Sequence, residues 1–480
     1  MGGAGGTPGF VEVTFADKIN NNLDLLFVIK NSSSVGAMQA KFVNQLPTFM
    51  QVLQKLPNGL PNLHVAVVST DMGVPGDSTS MLGCRTLGDD GQFQSQPRQG
   101  CASTTLSSGS TFVSDVDGQT NFTDPIEKVL QCISPLGSSG CGFVHPLAAI
   151  DRALGANGAP PPDSNAGFLR ADAYLGIVIL TDEDDCSAPA NTTLYSLNGG
   201  PQSITNPLGP VAKYRCNQFG HVCKDPSGAP VMPPLNPSSA AGTPPMLNLT
   251  DCTSNDTDSA LLTPVSTFVR DIKGLKTDPD NQIFVAAITA PPDPYTVEWV
   301  PPSAGTPAGE LWPQVMLSCG ARGGDDTSPM ATQFTTDGTS GRPGVRISQF
   351  ALAFPNSIVG SVCDPSYGSA MTAIATKLGG LIRGPCVAGR IQVGSSGQPA
   401  CTVTNHVRDD SGRTTDVAVQ SCAVNGNQAP CWTLEADTAK CPTGGFSFKL
   451  MTDAAAQAAT SLTTTVKCSL CQPGSTMPGC

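Results

Sequence analysis

The chain has 480 residues, of which 39% are hydrophobic, 5% aromatic and 13% charged, and its net charge is -12 at pH 7. This length is sufficient for two to four domains, or for one large domain with insertions. The acidic balance argues against binding to nucleic acid or to an anionic membrane surface, because both require clustered lysine and arginine.

The cysteine content indicates disulfides. There are 18 cysteines and only 4 histidines to act with them as zinc ligands. An even number of cysteines with few co-ligands is typical of a protein that folds in an oxidising compartment. The 51 glycines and 42 prolines predict long loops and insertions. We therefore predict an exported protein that is extracellular or on the outer cell surface.

The amino end is rich in glycine, with the sequence Met-Gly-Gly-Ala-Gly-Gly-Thr-Pro-Gly over residues 1–9. It predicts a flexible tether over residues 1–19 that follows a removed export signal. The sequence contains no apolar run long enough to span a membrane. Membrane attachment is therefore expected only through a lipid anchor at the amino end.

The first element is a continuous apolar run from Leu25 to Ile29, followed by the hydroxyls of residues 32–34. A strand without alternation predicts burial on both faces of a parallel sheet. An apolar face at helical spacing then predicts a helix that packs on this sheet. Its residues are Met38, Phe42, Leu46, Phe49, Leu53 and Leu56.

Similar strands and helices recur along the chain. Buried strands are predicted over residues 63–70, 174–182 and 282–288, and helical faces begin at residues 126, 143, 261 and 370. The apolar stretch 347–354 precedes residues 357–362, which continue it or pair with it. Alternating strands and helices predict an α/β fold with a doubly wound, mostly parallel sheet over residues 20–387.

Three segments rich in Gly, Pro, Ser and Asn interrupt this pattern, near residues 73–120, 187–258 and 290–345. We predict irregular insertions, the first stapled by Cys84 and Cys101, with Cys132 and Cys141 paired across a turn. Residues 388–480 contain short alternating runs and several cysteines, which predict a small disulfide-rich β module.

The remaining cysteines next to the predicted module are constrained by distance. A straight helix of about fifteen residues spans ~22 Å, which rules out a bond between Cys363 and Cys386. Cys319 is the better partner for Cys363. Cys386 is expected to bridge into the terminal module.

Four consecutive acids, Asp182 to Asp185, follow the strand that ends near Leu180. They repel one another unless a cation screens them, and Lys30 follows the first strand at the same predicted edge of the sheet. We predict an ion pair between Lys30 and Asp182. A solvated acidic turn is the simpler alternative.

This strand, loop and helix resembles the opening of a von Willebrand factor type A domain, whose loop reads Asp-x-Ser-x-Ser. The resemblance implies an adhesion site in which two serines, a threonine and a later aspartate hold a divalent metal ion. Ser32 and Ser34 match the serines, Asp182 matches the later aspartate, and Ser139 stands for the threonine. Lys30, however, replaces the first aspartate and would repel a metal ion.

The resulting prediction is a non-enzymatic surface protein that binds protein partners without a cofactor. Its binding residues would be Lys30, Ser32, Ser34, Ser139, Asp182 and Asp184. One alternative is a structural subunit that self-associates in a surface assembly. Another is adhesion through Mg²⁺ or Ca²⁺ on Ser32, Ser34 and Asp182. An extracellular hydrolase using a serine with His64, His145, His221 or His406 is disfavoured, since no Gly-x-Ser-x-Gly motif is present.

Overall fold

The structure is a computed structural model. It describes the chain except residues 1–8, 17–20, 34, 57–58, 75–82, 99–100, 102–105, 197–206, 210–211, 236–245, 258–260, 301–310, 321–336, 383–385, 388, 395–396, 409–412, 437–445, 452–460 and 472–479. The chain divides into two compact units, one of residues 21–381 and one of residues 1–20 with 382–480. The division falls before the predicted boundary at residue 387.

The strands are β1 (Gly9–Ala16), β2 (Asn22–Ile29), β3 (Asn62–Ser69), β4 (Val113–Val116), β5 (Gln119–Thr120), β6 (Tyr174–Leu180), β7 (His221–Lys224), β8 (Pro230–Val231), β9 (Met246–Ser254), β10 (Ile283–Thr289), β11 (Tyr295–Val300), β12 (Trp312–Val315), β13 (Cys319–Gly320), β14 (Ser340–Gly341), β15 (Ser357–Ser361), β16 (Cys386–Val387), β17 (Cys401–Arg408), β18 (Thr414–Ser421), β19 (Cys431–Ala436), β20 (Phe446–Met451) and β21 (Ser461–Leu470). The helices are α1 (Gly36–Gln54), α2 (Ile126–Ile133), α3 (Pro146–Leu154), α4 (Tyr214–Gly220), α5 (Val265–Lys273), α6 (Pro279–Gln282), α7 (Val345–Leu352) and α8 (Gly368–Leu381).

The central sheet of the larger unit has the order β15-β10-β6-β2-β3-β4-β5. Its first five strands are parallel, and β4 and β5 add antiparallel pairs at one edge. The apolar runs predicted as buried strands form β2, β3, β6 and β10, and nearly all of their side chains are buried. Continuous apolar runs form such strands because helices cover both faces of the sheet.

Two sets of helices cover these faces. On one face, residues of β2, β3, β6 and β10 form a single buried cluster with residues of α3, α5 and α7. On the other, Phe27 of β2 packs edge to face on Phe42 and Phe49 of α1, with ring centroids 5.2 and 5.9 Å apart. The side chains of Leu25 and Leu378 come so close to Gly176 that a methyl group there would force them to move. The packing thus fixes where the parallel strands end.

The insertions are more regular than predicted. Segments of 187–258 and 290–345 form an antiparallel sheet of order β12-β11-β9-β7-β8, and β13 pairs with β14. Leu249, Tyr295 and Val297 are buried at its centre. Strand β9 of the first segment pairs with β11 of the second, so that neither segment alone reveals this pairing.

The smaller unit is a mixed sheet of order β1-β21-β17-β18-β19-β20-β16. Val403, Trp432, Phe448 and Val466 lie in its core. Its edge strand β1 comes from the segment predicted as a tether and pairs antiparallel with β21 over its whole length. The tether prediction is therefore corrected for residues 9–16.

The predicted fold class is wrong. None of the sheets in the described part of the chain is wholly parallel, and twelve of its seventeen strand pairings are antiparallel. More described residues lie in strands than in helices. A doubly wound, mostly parallel sheet does not describe this chain, because the insertions contribute antiparallel sheets and the terminal unit contributes a mixed sheet.

Eight disulfides join the described cysteines. They are Cys84–Cys141, Cys101–Cys132, Cys186–Cys216, Cys223–Cys252, Cys319–Cys363, Cys401–Cys468, Cys422–Cys431 and Cys471–Cys480. The bond from Cys319 to Cys363 agrees with the prediction. The pairings of Cys84 with Cys101 and of Cys132 with Cys141 are wrong, because the first insertion folds back over the turn at residue 141.

Cys386 lies in β16, which pairs with β20, but its side chain is outside the described part of the structure. Its predicted bridge stays a prediction. Disulfides at this density indicate an oxidising, extracellular compartment. Among the described helices, none is both long enough and apolar enough to cross a membrane.

Candidate functional site

The candidate site lies at the carboxyl ends of β2 and β6. These strands are parallel neighbours in register, with Ile29 beside Leu180. The backbone N–H of Lys30 donates to the carbonyl of Leu180 at 3.0 Å. The first residues beyond the two strands therefore leave the sheet side by side, which brings Lys30 to the acidic run.

Lys30 is buried, with 1% of its surface exposed. Its Nζ lies 2.5 Å from Asp182 Oδ1 and 3.2 Å from Glu183 Oε2. Burial alone would lower the pKa of Lys30, but the two carboxylates outweigh it and raise this pKa. The structure thus contains the predicted ion pair, and the amine fills the space between the two strand ends.

Glu183 joins the sheet to the second insertion. Its Oε1 lies 2.5 Å from Nζ of Lys213, which directly precedes α4. Burial opposes ionisation of Glu183, yet the ammonium groups of Lys30 and Lys213 overcome it and lower its pKa to about 2. The disulfide Cys186–Cys216 fixes the same two segments covalently. One carboxylate therefore bridges two lysines from distant parts of the chain.

Asp184 binds two further elements of the insertions. It accepts hydrogen bonds from Nε2 of His221 at 2.7 Å and from the backbone N–H groups of Arg346 and Ile347 at 3.0 and 3.1 Å. It thereby caps the amino end of α7. Although burial opposes ionisation, the His221 contact and the α7 amide groups lower the pKa of Asp184. Nδ1 of His221 lies 2.7 Å from the hydroxyl of Tyr295.

Asp185 pairs with the fully buried guanidinium of Arg346. The Arg346 Nη2 and Nε atoms lie 3.0 and 3.3 Å from Asp185 Oδ2. The same guanidinium donates to the Ser254 hydroxyl at 3.0 Å and to the Thr263 carbonyl at 2.6 Å. Burial is the main influence on Asp185 and raises its pKa. Arg346 thus holds α7, β9 and the acidic run together.

Each of the four acids therefore has a partner inside the protein. The sequence predicted one screening cation, and the structure adds Lys213, His221 and Arg346. These three residues lie between 30 and 162 positions from the acids they contact, so that no local pattern could have identified them. A cavity of about 30 Å³ beside Glu183, Lys213 and Arg342 has room for about one water molecule.

The three serines that were predicted as binding residues differ in their placement. Ser32 is buried, and its hydroxyl makes no hydrogen bond with the described residues. Ser139 is exposed, in a turn that is held to the strand end by a hydrogen bond from Gly140 N–H to the Asn31 carbonyl. Ser34 lies outside the described residues. A binding role for these serines stays a prediction.

A divalent cation does not fit this arrangement. The Asp182 carboxylate already contacts the Lys30 ammonium, whose charge opposes a metal ion at the same oxygen atoms. The described residues include no group of three or more His, Cys, Asp or Glu side chains that could hold a metal ion. Ser32 and Asp182 therefore do not form a ligand set for Mg²⁺ or Ca²⁺ while Lys30 occupies this position.

The histidines considered for a hydrolase have varied partners. His64 contacts the Phe168 carbonyl at 2.8 Å, and His145 contacts the Tyr195 hydroxyl at 2.9 Å. In the terminal unit, His406 lies between the Asp416 carboxylate at 2.6 Å and the Thr465 hydroxyl at 3.0 Å. That threonine sits within β21, whose backbone pairs with a strand on each side. The described contacts of the four histidines thus include no serine hydroxyl.

Asp151 of α3 is a buried carboxyl outside this network, with 7% of its surface exposed. Burial, followed by repulsion from Asp271, raises its pKa to about 7. In the unfolded chain the carboxyl ionises near pH 4, so the free energy of unfolding falls as the pH rises from about 4 to about 7. We expect Asp151→Asn to raise the free energy of unfolding by about 1–3 kcal/mol at pH 8 and to change it little at pH 4.

Urea unfolding at the two pH values measures this difference. Asp163→Asn, at an exposed position, is the matched control and should show no gain that depends on pH. An equal gain for Asp151→Asn at pH 4 and pH 8 would contradict the prediction, because it could not come from ionisation.

Comparisons with known proteins do not place the chain in a family. No family model matches it, and no curated protein matches it. Among solved structures, it has a weak similarity to an adhesive tip pilin from Group B Streptococcus agalactiae. That match has 10% sequence identity and a TM-score of 0.25 over 98% of this chain and 83% of that chain. A similarity at this level shows neither the fold nor the function of this chain.

The predicted membership of the von Willebrand factor type A family is accordingly corrected. The predicted motif lacks its first aspartate, the sheets of the chain are mixed or antiparallel, and no family model or curated protein matches the chain. What the residues themselves establish is a closed network of buried charges in a disulfide-rich protein.

Proposed function

We propose that this chain is an exported, non-catalytic structural subunit that self-associates in an extracellular or cell-surface assembly. The observation that carries the proposal is the internal use of the strand-end charges. Lys30, Asp182, Glu183, Asp184 and Asp185 are buried or nearly so, and each contacts another residue of the chain. Side chains used in this way hold insertions to a sheet and leave recognition to other surfaces.

The covalent framework supports the same proposal. Disulfides stabilise a fold by restricting its unfolded state, typically by about 2–4 kcal/mol each. The eight described disulfides occur in both units. A subunit outside the cell benefits from this durability, since it is exposed to proteases and cannot be refolded by chaperones. Attachment of the amino end to a lipid remains part of the proposal.

The oxidised, full-length chain should associate reversibly as its concentration rises. Sedimentation velocity over about 1–100 μM measures this directly, since mass action favours oligomers at high concentration. We expect the weight-average mass to increase beyond that of the 49.3 kDa chain. A purely monomeric chain throughout this range would contradict the proposal.

Chemical labelling distinguishes the proposal from an enzyme. A fluorophosphonate probe, which labels activated serines, should give no more signal with the folded chain than with the unfolded chain. Specific labelling of one serine in the folded chain would contradict the non-catalytic part of the proposal.

Recognition of a different protein through the insertions is a second candidate, favoured by exposed apolar side chains. Leu87, Met232 and Met246 are 68%, 47% and 39% exposed, and all three belong to the insertions. Large apolar side chains on a surface often mark interaction sites. If this candidate holds, Leu87→Ser and Met232→Ser should weaken binding of the labelled chain to the surface of intact cells while leaving its self-association unchanged.

A further inference from the structure

We propose that strand β1 exchanges between copies of this chain, leaving its own sheet to pair with β21 of a second copy. The inference rests on the proposed function and identifies the contact that would link the subunits. The occupant of the β21 edge is then either the chain's own residues 9–16 or the same residues of a neighbour.

The position of β1 at the edge of its sheet allows it to leave. β1 is the edge strand of the terminal sheet, and β21 is its single neighbour in the described strand order. The two strands pair along their full overlap, from Gly9 opposite Leu470 to Ala16 opposite Thr463. An edge strand that pairs with a single neighbour is able to leave a sheet without displacing any other strand. Exchange of such an element is an economical route to oligomers.

No cysteine anchors β1 covalently, whereas its neighbour β21 is anchored. Residues 9–16 contain no cysteine. The disulfide Cys401–Cys468, in contrast, joins β17 to β21, and a second disulfide joins Cys422 to Cys431 of β19. When β1 leaves, β21 therefore remains fixed to β17. The acceptor edge stays formed while the donor strand is held only by non-covalent contacts.

The described side-chain contacts of β1 bear on how strongly the strand is held. Glu12 and Lys467 form an ion pair at 3.3 Å, but their side chains are 55% and 51% exposed. Pairs this exposed contribute little because water and salt screen them. Val11 is half-buried and packs against the core of the unit. Local opening of an edge strand requires less free energy than global unfolding, so that β1 can leave while the rest of the unit stays folded.

An empty acceptor edge favours the identical strand of another copy. Without β1, a row of N–H and C=O groups on β21 would be unpaired, next to the fully buried Thr464, Val466 and Cys468. A second copy's β1 restores the same register and the same side-chain contacts. The two states then differ mainly in the entropy of association, so that high local concentration favours exchange. Because donor and acceptor are different surfaces, repeated exchange yields an open chain of subunits.

Cysteine trapping tests the exchange in the full-length, oxidised chain. One copy carries Glu12→Cys, a second carries Lys467→Cys, and these positions are directly opposite in the paired strands. After the two are mixed and incubated, a short bifunctional maleimide should give a covalent heterodimer whose yield rises with time and concentration. Both positions are half exposed, so that the substitutions leave the fold intact.

The matched control keeps Glu12→Cys but replaces its partner with Thr463→Cys. Residue 463 alternates onto the same side of β21 as residue 467, but lies about 13 Å further along the strand. This wrong-register pair should give several-fold less heterodimer. Equal yields from the two pairs, or no heterodimer from either, would overturn the proposal.

A chain in which β1 is cross-linked to its own β21, called the locked chain, distinguishes a failure of strand exchange from a failure of the proposed function. Glu12→Cys and Lys467→Cys in one copy, cross-linked within that copy, prevent β1 from leaving. Self-association of the locked chain should be lost, whereas the same double variant without cross-linker should associate like the unaltered chain. If the locked chain associates equally well, strand exchange is wrong although the structural role stands. If neither form associates, the proposed function fails as well.

Discussion

Replacing Lys30 with methionine is expected to lower the free energy of unfolding of the larger unit by about 3–5 kcal/mol, because it leaves the buried Asp182 without its cation and Glu183 with Lys213 as its remaining lysine partner. Lys30 Nζ contacts both Asp182 and Glu183, whose side chains are 10% and 13% exposed. Urea unfolding with intact disulfides measures the loss. Circular dichroism at the helix band reports this unit, since every described helix lies within residues 36–381.

Lys224→Met is the matched control for this change. Lys224 pairs with Asp251 at 2.9 Å, but the two side chains are 52% and 68% exposed. Its replacement should cost less than about 1 kcal/mol. Adding Asp182→Asn to Lys30→Met should recover part of the stability, because it removes the uncompensated charge. Similar losses for Lys30→Met and Lys224→Met would contradict a buried ionic network.

The cost of Lys30→Met should also depend on pH. The pKa of Glu183 is lowered in the folded state to about 2, so its ionic stabilisation is fully present above the unfolded pKa near 4.5 and is lost as the pH falls toward 2. The raised pKa of Lys30 gives stabilisation that is present at neutral pH and is lost only in strong alkali. The difference in stability between the two proteins should therefore be largest near neutral pH and shrink in acid.

Arg346→Met is expected to have an effect of similar size, about 3–5 kcal/mol, in the same measurement. The guanidinium is fully buried and satisfies Asp185, the Ser254 hydroxyl and the Thr263 carbonyl together. Methionine fills much of the volume, but it leaves the buried Asp185 carboxylate without its cation and removes the donors to Ser254 and Thr263. Because these groups hold the insertions against α7, we also expect faster proteolysis of the segment around Ser254.

Arg270→Met provides the control for Arg346→Met. The Arg270 side chain is 72% exposed and pairs with the adjacent Asp271. Its replacement should be nearly neutral. Arg346→Lys keeps the charge but loses the planar set of guanidinium donors. Its free energy of unfolding should lie between those of the unaltered chain and Arg346→Met. If Arg346→Met is no more destabilising than Arg270→Met, the buried pair does not hold the insertions in place.

Some of the fold follows directly from local pattern. Uninterrupted apolar runs identified β2, β3, β6 and β10, and the helical spacing from Met38 to Leu53 identified α1. The apolar stretch from 347 to 354 does not by itself identify a strand or a helix, and in the structure residues 345–352 form helix α7. Short apolar runs fit either element, and here packing against α5 and the cap from Asp184 decide between them.

The candidate site, too, was predictable from the sequence only in part. The Lys30–Asp182 ion pair was predictable because parallel strands bring their carboxyl ends to one edge. The partnerships of Asp184 with His221 and of Asp185 with Arg346 were not, since they depend on how two insertions fold back. Matching two serines and one aspartate to a family motif overstated what those residues establish, because a few positions do not show a fold or a metal site.

The sequence by itself determined which strands of this protein are buried, that a lysine and an acidic run follow two of them, and that the chain is rich in cysteine. Only the tertiary structure decided which cysteines pair, that two separate insertions share one antiparallel sheet, and that the amino-terminal strand completes the carboxyl-terminal unit. The physical reason is the distance along the chain over which each kind of interaction acts. Apolar periodicity is recorded within a few neighbouring residues, whereas each of these pairings depends on the free energy of contacts between segments far apart in the chain.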